Sequence, residues 1–150
     1  CILSSHALAA VLQLTFTVRL VRVTLGIFPH DRKFLASVLG SDGCGERIRK
    51  AGDGMWHGHL AVLVDEKWLC DPTSDQSNRP GIRLPPLVVE LKSLHPHEST
   101  FFSINDCDCR YNLYHKQAGF ASAPDSRPSH WRDVAALARK MLDKGASHAK

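Results

Sequence analysis

The sequence predicts an α+β fold in which an N-terminal helix packs on a mainly antiparallel β-sheet and a second helix ends the chain. Three patterns carry this expectation. Apolar or small residues at Cys1, Ser5, Leu8 and Leu12 recur at helical spacing. Residues 15–115 then hold short β-branched and apolar runs broken by Gly, Pro and Asp turns. Finally, in Ser129 to Lys144 an apolar face of Trp131, Val134, Ala135, Leu137, Ala138, Met141 and Leu142 lies between a capping serine and Gly145.

The elements follow in order. Thr15 to Phe28 is rich in residues that suit a pleated surface, so it reads as a long strand that Pro29 ends. Asp31 can cap a short helix reaching Leu39, with Gly40 as its stop. Ser41 to Gly54 mixes glycines and charges and reads as a loop. His59 to Val64 and Lys67 to Cys70 form the arms of a hairpin around a polar Asp65-Glu66 turn. Asp75 to Pro86 is a second loop, and Leu87 to Leu91, Thr100 to Ile104 and Arg110 to His115 are strands. Ala121 to Ser129 is a linker-like turn before the last helix.

Composition bounds the classes of function. At 150 residues the chain is expected to form a single domain, 1–150, with a core of ordinary size. The net charge of +4 comes from scattered basic residues, with Arg47, Arg49 and Lys50 the one tight group of the first half. That pattern lacks the clustered basic face with interleaved aromatics that nucleic-acid binding requires, so no nucleic acid is expected. Gln13, Arg19 and Arg22 interrupt the early apolar region well short of the ~20 residues a membrane span needs, and no membrane partner is expected. No signal-peptide pattern is visible at the start. Five cysteines are an odd number without a disulfide-framework spacing, which suits a reducing, cytoplasmic setting. Cys107-x-Cys109 lacks the second ligand pair of a zinc motif, so no metal or other cofactor is expected.

The hairpin carries the chemistry. A turn centred on Asp65-Glu66 puts His59 opposite Asp71 or one step from it, close enough for the side chains to meet. A carboxylate there fixes the imidazole tautomer and leaves the other ring nitrogen free as a base. His57 shares a strand face with His59, but the register and the Gly58-His59-Leu60 context select His59. A nucleophile is available at Cys1, on the first turn of a helix whose dipole and unpaired N–H groups favour thiolate. Cys1 is also open to a second reading, as an N-terminal nucleophile with its own α-amine as base, and a third in which its reactivity is incidental.

The ordered set CILSSHALAAVL, VRLVRVTL, GMWHGHLAVLV and WLCDPTSDQSNRP resembles the transglutaminase-like branch of the papain-like cysteine enzymes, most closely small bacterial members. The match covers Cys1 to about Pro86. It implies a papain/transglutaminase-like core and an acyl-transfer triad of Cys1, His59 and Asp71, acting on a peptide, amide or small acyl substrate by hydrolysis or transfer to an amine. Family members carry residues ahead of the cysteine that wall the cleft, so with Cys1 first the resemblance implies a domain lacking that segment. Trp56 beside the histidine and Gln76 after the aspartate are the substrate-binding candidates. For Gln76 and Arg79, holding the loop by hydrogen bonds is the alternative role. The competing functions are a catalytically inactive binding module of the same fold and a nucleic-acid-associated protein.

Overall fold

The sheet is built around one long strand. In the computed structural model, which describes residues 2–40, 58–95, 98–114 and Ala136, helix α1 (Ile2–Leu12) leads through a tight turn into β1 (Val18–Pro29). Alternation along β1 sends Val21, Val23, Leu25 and Ile27 into the main core and Leu20, Arg22, Thr24, Gly26 and Phe28 to the opposite face. The start of β1 is tied to the hairpin turn, where Thr17 and Asp65 exchange two hydrogen bonds of 2.8 and 2.9 Å.

Six further strands complete an antiparallel sheet: β2 (Ser37–Leu39), β3 (His59–Val64), β4 (Trp68–Asp71), β5 (Leu87–Glu90), β6 (Ser99–Ile104) and β7 (Cys107–Tyr114). Their spatial order is β5-β4-β3-β1-β7-β6, with β2 pairing β1 beyond the end of β3. The sheet curls into a half-barrel. Its concave side is filled by Leu63, Leu69, Leu87, Tyr111 and Leu113 from the strands, and by Ile82, Leu84 and Leu91 from segments flanking β5. The two ends of the curl approach at Asn105, whose side-chain amide donates to the Arg83 carbonyl at 2.9 Å. On the other face α1 packs against β3 and β1, covering Leu60 and Val62, and Ser5 donates to the Leu60 carbonyl at 2.7 Å.

This architecture corrects the expected papain/transglutaminase-like core. Among the described residues α1 is the one complete α-helix, and the core is closed by the curl of the sheet rather than by a helical layer on each side. Period-two alternation predicts a half-buried sheet equally well whether the apolar face meets helices or the sheet's own far end. The expected C-terminal helix, Ser129 to Lys144, lies outside the described residues apart from Ala136, which is helical. The expected loops 41–54 and 121–129 lie outside them as well.

The short helix expected over Asp31 to Leu39 is instead a turn followed by β2. Asp31 caps only locally, its carboxylate accepting from the Lys33 N–H at 3.0 Å. Beyond it, Ser37 to Leu39 pairs with the stretch of β1 that β3 leaves open after Val23. Long-range ladder bonds to that open edge outweigh the local helix signal. Gly40 ends β2 at a φ of +78°, and a Cβ there would lie 2.6 Å from the Val23 carbonyl oxygen and 2.8 Å from the His59 Cβ. A side chain at this position would therefore press on the histidine strand.

Candidate functional site

The hairpin predicted from Met55 to Pro80 forms in its described part, with a longer turn. Asp65 and Glu66 adopt positive φ values of 48° and 51°, and Lys67 joins them in a three-residue connection. Val62 consequently pairs with Cys70, and His59 lies on the same face as Asp71, displaced diagonally by two residues. The imidazole spans that diagonal. His59 Nε2 donates to Asp71 Oδ2 at 2.6 Å, with His59 2% and Asp71 1% exposed.

A third residue completes the cluster. Tyr111, on β7, is fully buried, and its hydroxyl donates to the same Asp71 Oδ2 at 2.7 Å, while the Thr73 N–H donates to Oδ1 at 3.0 Å. Burial is the largest influence on Asp71 and by itself raises its pKa. The bond and charge of His59, with the Tyr111 and Thr73 donors, outweigh it and hold the carboxyl below its ordinary range. Tyr111 is driven well above a normal phenol by burial first and by the adjacent Asp71 charge second. The result is an ionised carboxylate bonded on both oxygens and sealed beneath the sheet. No role for Tyr111 was read from the sequence. The available signal was its place at alternate spacing with Cys107, Cys109 and Leu113, because a tyrosine on a core face needs a partner for its hydroxyl.

The acyl-transfer reading fails on these observations. Among the described residues no cysteine contacts the His59–Asp71 pair. Cys70 points to the opposite sheet face from Asp71. Cys107 and Cys109 are buried in the main core, and Cys107 Sγ lies 3.6 Å from the Gly81 carbonyl. All three thiols are pushed up, by burial first, and Cys109 reaches about 11. That is the reverse of an activated nucleophile. Cys1, His57 and Trp56 lie outside the described residues. Nor do His59, Asp71 and Tyr111 line either of two concavities formed by the described residues, one of about 430 Å³ between Asp31, Phe34, Gly81, Arg83 and Asp106 and one of about 510 Å³ beside Phe28, Phe101, Ser103 and Arg110. The expectation of a protease, hydrolase or acyltransferase falls with the triad.

The two loop candidates separate. Gln76 is exposed on a 3-10 turn (Ser74–Ser77) that follows β4. Arg79 holds the loop, donating through Nη2 to the carbonyls of Leu35 at 2.9 Å and Ala36 at 2.6 Å. Among the described residues no three His, Cys, Asp or Glu side chains converge as a metal site, at Cys107 and Cys109 or elsewhere. No helix of the described residues is long and apolar enough to cross a membrane.

What the sequence reading passed over is the outer face of β1, β7 and β6. The pairing aligns Gly26, Arg110 and Phe101 in one row, and Thr24, Asn112 and Ser99 in the next. The Arg110 guanidinium lies over the Phe28 ring at 6.0 Å from its centroid, and Phe101 is 66% exposed. Asp108 accepts from Ser103 Oγ at 2.6 Å and pairs with His30 at 3.1 Å. In the neighbouring row Asn112 Nδ2 donates to Thr24 Oγ1 at 3.1 Å. Comparison with known proteins adds nothing to this geometry: no protein-family model, curated protein or solved structure matches the chain.

Proposed function

We propose that the chain is a non-catalytic binding module that takes an extended segment of a protein partner along the outer edge of β6. The observation that carries the reading is the state of that edge. The two-residue Asn105-Asp106 turn, with both φ positive, makes Ile104 and Cys107 the closing pair. Alternation then turns the backbone groups of Thr100, Phe102 and Ile104 toward β7, and those of Ser99, Phe101 and Ser103 outward. Ser99-Thr-Phe-Phe-Ser-Ile104 carries no charge and no proline, so it lacks the devices that usually blunt an edge. The opposite edge has them: β5 spans four residues, follows Pro85-Pro86 and ends on Glu90, ion-paired to Lys67 at 2.9 Å.

An added strand would gain main-chain hydrogen bonds from Ser99, Phe101 and Ser103, and side-chain contacts from Phe101, Phe28 and Arg110. On this reading His59, Asp71 and Tyr111 are structural, riveting β3, β4 and β7 together behind the binding face. The 150 residues are taken as one domain of a cytoplasmic protein, consistent with thiols kept reduced. The test is selection of extended peptides from a displayed library, followed by amide-shift mapping. The expected result is perturbation confined to β6 and its neighbours, with at least a ten-fold loss of affinity in Phe101→Lys and in Ser103→Pro, which removes an outward N–H. Selected peptides that shift amides elsewhere, or that bind both variants unchanged, would reject the proposal.

A further inference from the structure

Among the described residues Arg22 is a cation with no ion pair. It is 6% exposed, and its cross-strand neighbours are Leu60 on β3 and Tyr114 on β7. Along β1 the same face carries Leu20 and Thr24, so no acidic side chain adjoins it on these strands. The guanidinium stacks over the Tyr114 ring at 4.8 Å from the centroid. Its Nε is shut off from solvent and has no hydrogen-bond partner. Proteins rarely bury a charge this way, because desolvation is costly unless a counter-charge and hydrogen bonds offset it.

The polar side chains around Arg22 are uncharged. Tyr114 supplies a hydroxyl 3.4 Å from Thr24 Oγ1, and Thr24 in turn accepts from Asn112 Nδ2 at 3.1 Å. Thr24, Tyr114 and Asn112 thus form a linked neutral polar network on the face that carries Arg22, and the network meets the guanidinium through the Tyr114 ring. A guanidinium fork matches two oxygens of one anion. Neutral partners of this kind orient an oxyanion without repelling it.

We infer that Arg22, with Tyr114 and Thr24, forms a binding site for an oxyanion, a carboxylate or a phosphate group, on the outer face of β1. The site stands apart from strand addition at β6 and does not depend on it. Its chemistry is bidentate pairing at the guanidinium, with the phenol and threonine hydroxyls as supporting donors.

Thermal unfolding of the whole chain in inorganic phosphate, in acetate and in chloride at matched ionic strength tests the inference. Phosphate or acetate should raise the midpoint by about 5–10 °C at a hundred-fold excess over Kd, and chloride should not. Whichever of the two saturates at lower concentration identifies the ligand as phosphate or carboxylate. Arg22→Met, which keeps the side-chain volume and removes the charge, should be at least as stable as the parent in chloride and should lose the anion-dependent rise. The Arg22 Nε–Hε resonance should move during the same titration of the unaltered protein, a readout that survives even if the variant does not fold. Equal midpoints in all three salts, a rise that persists in Arg22→Met, or an Nε–Hε signal indifferent to the anion would each overturn the inference.

Discussion

Replacing Asp71 with alanine should be among the most damaging changes available in this chain, and its size follows from the geometry. The carboxylate accepts from the His59 imidazole, the Tyr111 hydroxyl and the Thr73 N–H in surroundings that leave it 1% exposed. Without it three donors lose their acceptor, and each buried unsatisfied donor costs about 1–3 kcal/mol. Relaxation and water entry reduce the sum, and removing one member of a buried pair typically costs about 3–5 kcal/mol. A domain of this size has only about 5–15 kcal/mol in total. The loss should lower the thermal midpoint by roughly 6–20 °C, at about 2–4 °C per kcal/mol. Chemical denaturation of Asp71→Ala and Tyr111→Phe measures it directly. Tyr111→Phe, which removes one donor and keeps the ring, should cost about 1.5–3 kcal/mol. The pH dependence gives an independent reading. Asp71 is held below its unfolded value of about 3.9. Its contribution is therefore complete above that value and is lost as pH falls through the lower folded pKa. The parent should lose stability more steeply than Asp71→Ala over that acid range. An Asp71→Ala protein within about 0.5 kcal/mol of the parent, or one with an unchanged acid limb, would refute the account.

Gly40→Ala should cost about 2–4 kcal/mol by denaturant titration, from the left-handed backbone and the clash with Val23 and His59, and should shift the His59 ring resonances. Native alkylation near pH 7, read by peptide mass mapping, should leave Cys107 and Cys109 unlabelled until the protein unfolds, because both are buried neutral thiols; rapid native labelling of Cys109 would contradict its raised pKa. Arg79→Ala should free the backbone at Leu35 and Ala36 and raise proteolytic sensitivity there at least several-fold, with a stability loss of about 1 kcal/mol.

Local physics was legible in the sequence. Helical spacing after Cys1 marked α1, and β-branched runs marked β1, the hairpin arms, β5, β6 and β7 to within a few residues. The His59–Asp71 contact was readable because a hairpin is a local object, in which turn position nearly fixes who faces whom. One extra residue in the turn left the pair in reach across the diagonal, since a two-residue offset preserves the face. What depended on distant segments was not readable. Whether the sheet met helices or curled on itself turned on packing between Leu84, Leu91 and Tyr111, far apart in the chain. Residues 37–39 became a strand because β3 stops at Val23 and leaves β1 an open edge, overriding the Asp31 cap signal. The partners of Asp71 and the isolation of Arg22 were likewise decided by tertiary structure. Tyr111 reaches the carboxylate only because β7 lies beside β1. Among the described residues Arg22 is buried without a carboxylate, because β1 is central and its cross-strand neighbours are Leu60 and Tyr114. A sequence records which groups carry charge, and only the fold decides which of them meet.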